Sequence, residues 1–325
     1  MFSFFKSSEK NNKAITIAFY NLENLFDTKN DPKILDDDFT PKGKKHWNYH
    51  RYKRKLKNLG NVIAQLGNER SHHPPAIIGV VEVENQTVLT DLVATNSLKK
   101  HDYGFVHYDS PDERGIDVAL LYKKDLFELL NSETFPLYLE EKNGVIDLTR
   151  DILLVKGNLN GELIYVIVNH WPSRRSGQDT SEEKRIKAAE LVLTIVKKIT
   201  LETKNPKIII MGDFNDDPSN KSVKQYLVND SFYNPMERLI TIGKGTLNYK
   251  KKWHLFDQII FSKNFFNIET DKHSFKYAEV FDKQFLKEWS GKYKGNPLRT
   301  YTGKRYLGGF SDHFPVYVYL EHHKK

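Results

Sequence analysis

Asp312 and His313 stand side by side in GGFSDHFPV (308–316), between a glycine turn and the alternating apolar run 316–320. A carboxylate next to an imidazole offers a metal ligand and a proton carrier at one strand entrance, and proline just after them suits a strand start. Asp-His pairs also serve as plain surface hydrogen bonds, so this pair gains weight only from others like it. Asn21 follows the apolar run 15–20, Glu82 follows 77–81, Asn169 and His170 follow 163–168, Asp213 and Asn215 follow 207–211, and Asp257 lies inside WHLFDQIIF. Any one of them at a strand end is most often a turn former or helix cap. Together they supply oxygen donors and two histidines in a chain with no cysteine. Such a set suits a hard cation such as Mg²⁺ and a phosphate substrate. Hydrolysis of a phosphodiester needs positive charge at the non-bridging oxygens, a deprotonated water and a proton for the leaving oxygen. A cation, an ionised Asp and an imidazole answer these needs without a covalent nucleophile.

Strands must hold these groups. Apolar, β-branched runs at 15–20, 76–81, 118–122, 152–155, 163–168, 207–211, 256–261 and 316–320 predict eight of them. The spacing predicts a helix from Thr180, whose Thr-x-x-Glu relation to Glu183 is a capping box, with Ala188, Ala189, Val192, Ile195, Val196 and Ile199 on one face. A second helix follows Asn85 with Val88, Leu89 and Leu92 inward, and another stripe runs through Leu56, Leu59, Val62, Ile63 and Leu66. The polar stretch 27–45 reads as a surface loop. No repeat or low-complexity linker is visible, so the chain reads as one mixed α/β domain over 14–322 behind a flexible N-terminus, 1–13.

A chain of 325 residues with 39% hydrophobic content can bury a large core. The absence of cysteine excludes disulfides, thiolate zinc sites and cysteine nucleophiles. No run approaches the 18 or so apolar residues of a membrane span, and the cytoplasm is the default location, with secretion left open if a leader was removed. The formal charge of +8 points to a polyanionic partner. Segment 41–67 has no acidic residue, and Lys42, Lys44, Lys45, Arg51, Lys53, Arg54, Lys55 and Lys57 crowd its first half among Trp47, Tyr49 and Tyr52. Such a segment can track a nucleic-acid backbone and stack on bases, or can equally be a solvated helix face.

The segments AFYNLEN (18–24), VVEVEN (80–85), NHWPSR (169–174), GDFNDDP (212–218), FDQI (256–259) and GFSDHFPV (309–316) resemble, in order, the motifs of the endonuclease/exonuclease/phosphatase superfamily. The likeness is to a deoxyribonuclease I-like, metal-dependent phosphoesterase of bacterial type and spans about residues 15 to 320. It implies a four-layer α/β sandwich, two mixed, mainly antiparallel sheets packed face to face and flanked by helices. It also implies Glu82 as the principal metal carboxylate, with Asn21 and Asp312 near the same Mg²⁺, for which Mn²⁺ can substitute. Asp213 resembles the residue that orients or deprotonates the attacking water, and Asn215 the amide that holds the phosphate. Asp257 and His313 resemble the acid-histidine pair at the scissile phosphate, and His170 the second histidine, which stabilises the phosphorane or protonates the leaving oxygen.

Arg114 in DERGIDVALLY is a phosphate contact or half of an Arg-Asp pair with Asp117, while Arg174 and Arg175 sit in a Ser/Gly-rich loop that favours substrate contact. Glu84 reads as a salt-bridge or capping residue, and His72, His73, His322 and His323 as loop and tail. Gln258 stands where inositol-polyphosphate phosphatases of the superfamily carry Arg, and no membrane-facing apolar hairpin like that of the bacterial sphingomyelinases is legible. His170 leans toward the deoxyribonuclease side. The expectation is therefore a nuclease cutting DNA or RNA, with a phosphatase or phosphodiesterase on a small ester as the alternative and an inactive nucleic-acid-binding member third.

Overall fold

A computed structural model describes residues 14–140, 144, 146–174 and 177–325, with the side chains of 178–180 left aside. The expected flexible N-terminus, 1–13, and Arg175 lie outside the described residues. Twelve strands form two six-stranded sheets. They are β1 (Ala14–Leu25), β2 (Ile77–Val83), β3 (Tyr103–His107), β4 (Asp117–Lys123), β5 (Phe127–Phe135), β6 (Ile152–Leu159), β7 (Glu162–His170), β8 (Lys207–Asp213), β9 (Phe232–Tyr233), β10 (Asp257–Ser262), β11 (His273–Val280) and β12 (Val316–His322).

The first sheet runs β11-β12-β1-β2-β4-β3 and the second β9-β10-β8-β7-β6-β5. Each has one parallel pair, β1 with β2 and β7 with β8, and is otherwise antiparallel. Their facing sides share one apolar core, in which Phe19, Val80 and Val318 of the first sheet join Val166, Met211 and Ile259 of the second. The resemblance implied this architecture, and the structure has it. All eight expected strands are present. The three long strands without an expected counterpart, β3, β5 and β11, are all sheet edges. Edge strands are half solvated and carry polar residues, so no apolar run marks them.

Helices cover the outer faces. α1 (Tyr49–Ile63) buries Leu56, Leu59, Val62 and Ile63. α2 (Gln86–Val93) starts where expected, with the Asn85 side chain accepting from the backbone N–H of Thr87 and Val88, and it buries Val88, Leu89 and Leu92. α3 (Gln178–Glu202) lays Ala188, Ala189, Val192, Ile195 and Ile199 on Ile208 and Ile210 of the second sheet. It begins two residues before Thr180, with Gly177 at the cap position and no side-chain cap, so the capping box expected at Thr180 is not its start.

Candidate active site

Strand register assembles half of the site. β8 pairs Asp213 with His170 of β7 on one side and with Asp257 of β10 on the other, so three residues distant in sequence share one rung. Gly212 permits the close approach, since a Cβ there would lie 2.4 Å from the Asn169 carbonyl oxygen. Asp213 is buried and accepts from the Asn215 N–H at 2.9 Å and from Asn21 Nδ2 at 3.0 Å. Burial, reinforced by the Asp257 charge, pushes its pKa up to about 7 against the pull of His313 and these two hydrogen bonds.

His313 Nδ1 meets Asp257 Oδ2 at 2.7 Å, and its Nε2 stands 4.0 Å from Asp213 Oδ2. The Asp257 acceptor calls for a proton on Nδ1, so Nε2 is the end that faces Asp213. Burial disfavours the imidazolium, but Asp257, by charge and hydrogen bond, with Asp213 and Asp312 behind it, holds the His313 pKa well above the ordinary histidine value. His170 Nε2 lies 3.9 Å from both Glu82 Oε1 and Asp213 Oδ2.

The first sheet supplies the other half. Glu82 sits in an irregularity of β2 with a left-handed φ of 62°, a conformation that costs about 1–3 kcal/mol for a residue with a side chain. The bulge turns its carboxylate toward β1, where Oε2 accepts from the Asn24 N–H at 2.8 Å. Asp312 hangs on the 308–313 loop, where a Cβ at Gly309 would lie 2.1 Å from the Leu298 carbonyl oxygen. Its Oδ2 accepts from Arg299 Nη2 at 2.7 Å.

Sequence reasoning missed what surrounds these two carboxylates. Arg299 Nε also donates to Glu23 Oε1 at 3.2 Å, and Lys55 Nζ donates to the Glu23 carbonyl at 2.5 Å and to Thr300 Oγ1 at 2.6 Å. Burial pushes the Lys55 pKa down, opposed by Glu23, Asp312 and Glu82. Lys55 is thus no part of a solvated basic face, because it is buried beneath the site. Trp47, whose Nε1 donates to the Phe26 carbonyl, and Tyr52 are buried too, leaving Tyr49 as the exposed aromatic of the three. No local pattern distinguishes Lys55 from Lys53 or Lys57, apart from its place on the apolar side of α1.

The expected substrate residues divide. Arg174 donates to the Asn215 carbonyl, Asp216 and Asn220 and lies over the Phe256 ring, which makes it a clamp on the GDFNDDP loop. Arg114 is 28% exposed at the side chain, and its partner is Asp112 rather than Asp117, which is engaged by His107 and Ser110. Buried Arg150, unmarked in sequence, ties Asp112 to the Trp171 carbonyl, which also accepts from Asn215 Nδ2 at 2.9 Å. Glu84 accepts from the Asp27 N–H, and burial raises its pKa to about 8. His322 is a buried strand residue stacked on His273, not a tail residue. Gln258 is spent inside the fold, between Asn234 and the Asp216 carbonyl.

A divalent cation fits the first-sheet half. Among the described residues, Glu82 Oε1 and the second oxygen of Asp312 have no hydrogen-bond donor, and the side-chain Oδ1 of Asn21, which accepts from the Glu23 N–H, keeps a lone pair. All three are hard oxygens. Asp213, Asp257 and His313 also place ligand atoms within 4.8 Å of one another. The short His313–Asp257 bond engages two of its three members with each other. A further group, His107, Asp109 and Asp117, lies apart at the β3–β4 loop.

The folds of several solved structures match this one. A humanized TDP2 of D. rerio aligns with a TM-score of 0.60 at 14% identity, covering 95% of this chain and 99% of that one. TDP2 of D. rerio complexed with a single-strand DNA product aligns at 0.56 and 15%, over 95% and 99%. A mannosyl-6-phosphatase of Bacteroides thetaiotaomicron aligns at 0.56 and 19%, over 94% and 99%. At such identities the likeness is one of fold. A search of curated proteins by sequence found no match. The family model described as Endonuclease/Exonuclease/phosphatase family matches residues 16–322, so the chain belongs to that family of metal-dependent phosphoester hydrolases.

Proposed function

We propose that this chain is a metal-dependent nuclease that cleaves DNA or RNA by direct attack of water on phosphorus, within one domain over 14–322. The observation that supports a polymer over a small ester is the place of α1. Asn58 donates to the carbonyls of Gly308 and Gly309 and Arg54 lies against Gly308, so exposed Arg54 borders the loop that carries Asp312 and His313, while exposed Lys53 and Lys57 extend the basic face of the same helix toward Asp91 and α2. Cations in that position neutralise phosphates flanking the scissile one.

Asp213, with a pKa near neutrality, takes a proton from the attacking water. His313, kept protonated by Asp257, faces the developing charge on the phosphate, and His170 on the opposite side of Asp213 delivers a proton to the departing oxygen as the ester P–O bond breaks. Glu82, Asp312 and Asn21 Oδ1 would hold Mg²⁺ or Mn²⁺, which would supply positive charge to the non-bridging oxygens. Arg114 contributes a phosphate contact from the rim.

The test is a screen of purified protein with Mg²⁺ or Mn²⁺ on plasmid, single-stranded DNA, RNA, bis-p-nitrophenyl phosphate and p-nitrophenyl phosphate, run beside a Lys53→Glu/Arg54→Glu/Lys57→Glu variant. Diesters should be cut and the monoester spared. The variant should bind polymer more weakly, with a salt dependence flatter by about one log–log unit for each phosphate it no longer neutralises, and should cut the small diester as before. Cleavage of the monoester alone would make the chain a phosphatase, and polymer binding without turnover would make it a binding protein.

A further inference from the structure

Between the first-sheet edge strand β11 and the 308–313 loop the chain makes a projecting hairpin. Leu298 N–H bonds to the Leu286 carbonyl, Lys287 bridges Pro297, and Glu288 exchanges bonds with Gly295 and Asn296, whose N–H and carbonyl stand 2.8 Å from it. Beyond these rungs the tip, Trp289-Ser290-Gly291-Lys292-Tyr293-Lys294, is exposed at every residue. Trp289 is 78% exposed and stands apart from the other tryptophans, since Trp47 and Trp171 are fully buried and Trp253 stacks on Phe314. Lys292 lies over the Tyr293 ring, and the tip has no acidic residue.

The base of this hairpin belongs to the active site. Phe310 N–H bonds to the Leu298 carbonyl, the Phe285 and Phe310 rings pack 5.6 Å apart, and the next residue after Leu298, Arg299, holds Asp312. Four residues stand between Lys294 and Arg299, so the near end of the tip lies no more than roughly 18 Å from Arg299. Single exposed aromatics are ordinary. Two aromatics with two lysines on a rung-stiffened tip within a few nucleotides of a phosphate-cleaving centre fit one ligand class, a single-stranded polyanion whose bases present π faces and whose backbone presents phosphates.

We propose that the 288–296 hairpin is a stacking clamp for single-stranded nucleic acid, with Trp289 and Tyr293 against bases and Lys292 and Lys294 on phosphates, beside the scissile position. The proposal rests on the nuclease reading and names the form of its substrate.

The experiment uses the whole protein in EDTA, so that nothing is cut, and follows tryptophan emission as a single-stranded oligodeoxythymidylate is added. Emission should be quenched in the parent, and the response should vanish in Trp289→Ala. That variant should bind the oligonucleotide about tenfold or more weakly, Trp289→Phe should keep most of the affinity, and the small-diester rate with metal and the thermal midpoint should match the parent. Equal binding by Trp289→Ala and the parent overturns the clamp even if the parent is a nuclease. Binding through Trp289 with no polymer cleavage under Mg²⁺ upholds the clamp and removes the nuclease reading instead. No binding by the parent, or a blue shift with phosphatidylserine vesicles in place of an oligonucleotide response, overturns the clamp, the latter in favour of a lipid surface.

Discussion

Asn21 of the first sheet donates through Nδ2 to Asp213 Oδ2 of the second, 3.0 Å away across 192 residues of sequence. The bond joins the two halves of the site and favours the ionised carboxylate at a buried position. Asn21→Ala should raise the Asp213 pKa above its value of about 7, by about one unit if the bond contributes about 1.4 kcal/mol. Because the base must be ionised, the rising limb of the pH–rate profile should move to higher pH. A carboxyl titration followed by NMR on metal-free protein checks the shift apart from turnover.

Glu82→Gln removes an anionic oxygen and keeps the side-chain volume. Turnover should fall at least about a hundredfold, chelation should mimic it, and calorimetry should find divalent binding weakened while the thermal midpoint hardly moves. Full activity in EDTA would refute the metal mechanism.

His170→Ala and His313→Ala should each lower kcat about a hundredfold or more with little change in KM, because both act on charge that develops during the reaction. Asp257→Asn, which leaves the 2.7 Å contact with His313 but removes its charge, should lower the His313 pKa and depress kcat in the same sense. A rise in KM alone would assign the histidines to binding.

Lys55 and Lys53 are two residues apart on α1 and should behave differently. Lys55→Met strips a buried cation from Glu23 and should cost about 3 kcal/mol in chemical denaturation. Lys53→Met touches an exposed pair with Asp91 and should stay within about 0.5 kcal/mol.

At the end of the sandwich away from the site, Glu162 accepts from the His273 backbone and ring and pairs with Lys207 at 2.8 Å. Burial raises the Glu162 pKa, but these partners outweigh it and leave it lowered, while burial lowers that of His273. A lowered folded pKa means the unfolded chain binds more protons between the two values. The stability from both groups is therefore present above their ordinary pKa values, near about 4.3 and 6.5, and lost as pH falls through the folded ones. The thermal midpoint should decline from about pH 6.5 downward, and Glu162→Gln should be less stable at about pH 7 with a shallower acid decline.

Local pattern carried much of this protein. Alternating β-branched runs marked the inner strands because such residues fit a pleated, two-sided core, and Asn85 marked α2 because its side chain caps the helix. Polar residues at the ends of those runs named nearly every group that meets in the site, since a strand end is where a side chain can be both held and open. Their partnerships were another matter. Asp213 lies between His170 and Asp257 through strand register, and Asn21 reaches Asp213 through the packing of one sheet on the other, both set by contacts distant along the chain. Only the tertiary structure buries Lys55, spends Arg174 on its own loop, brings Arg299 to Asp312 and leaves Trp289 outside. Composition records that a lysine or a tryptophan is present, whereas its role follows from which long-range neighbours exclude water from it.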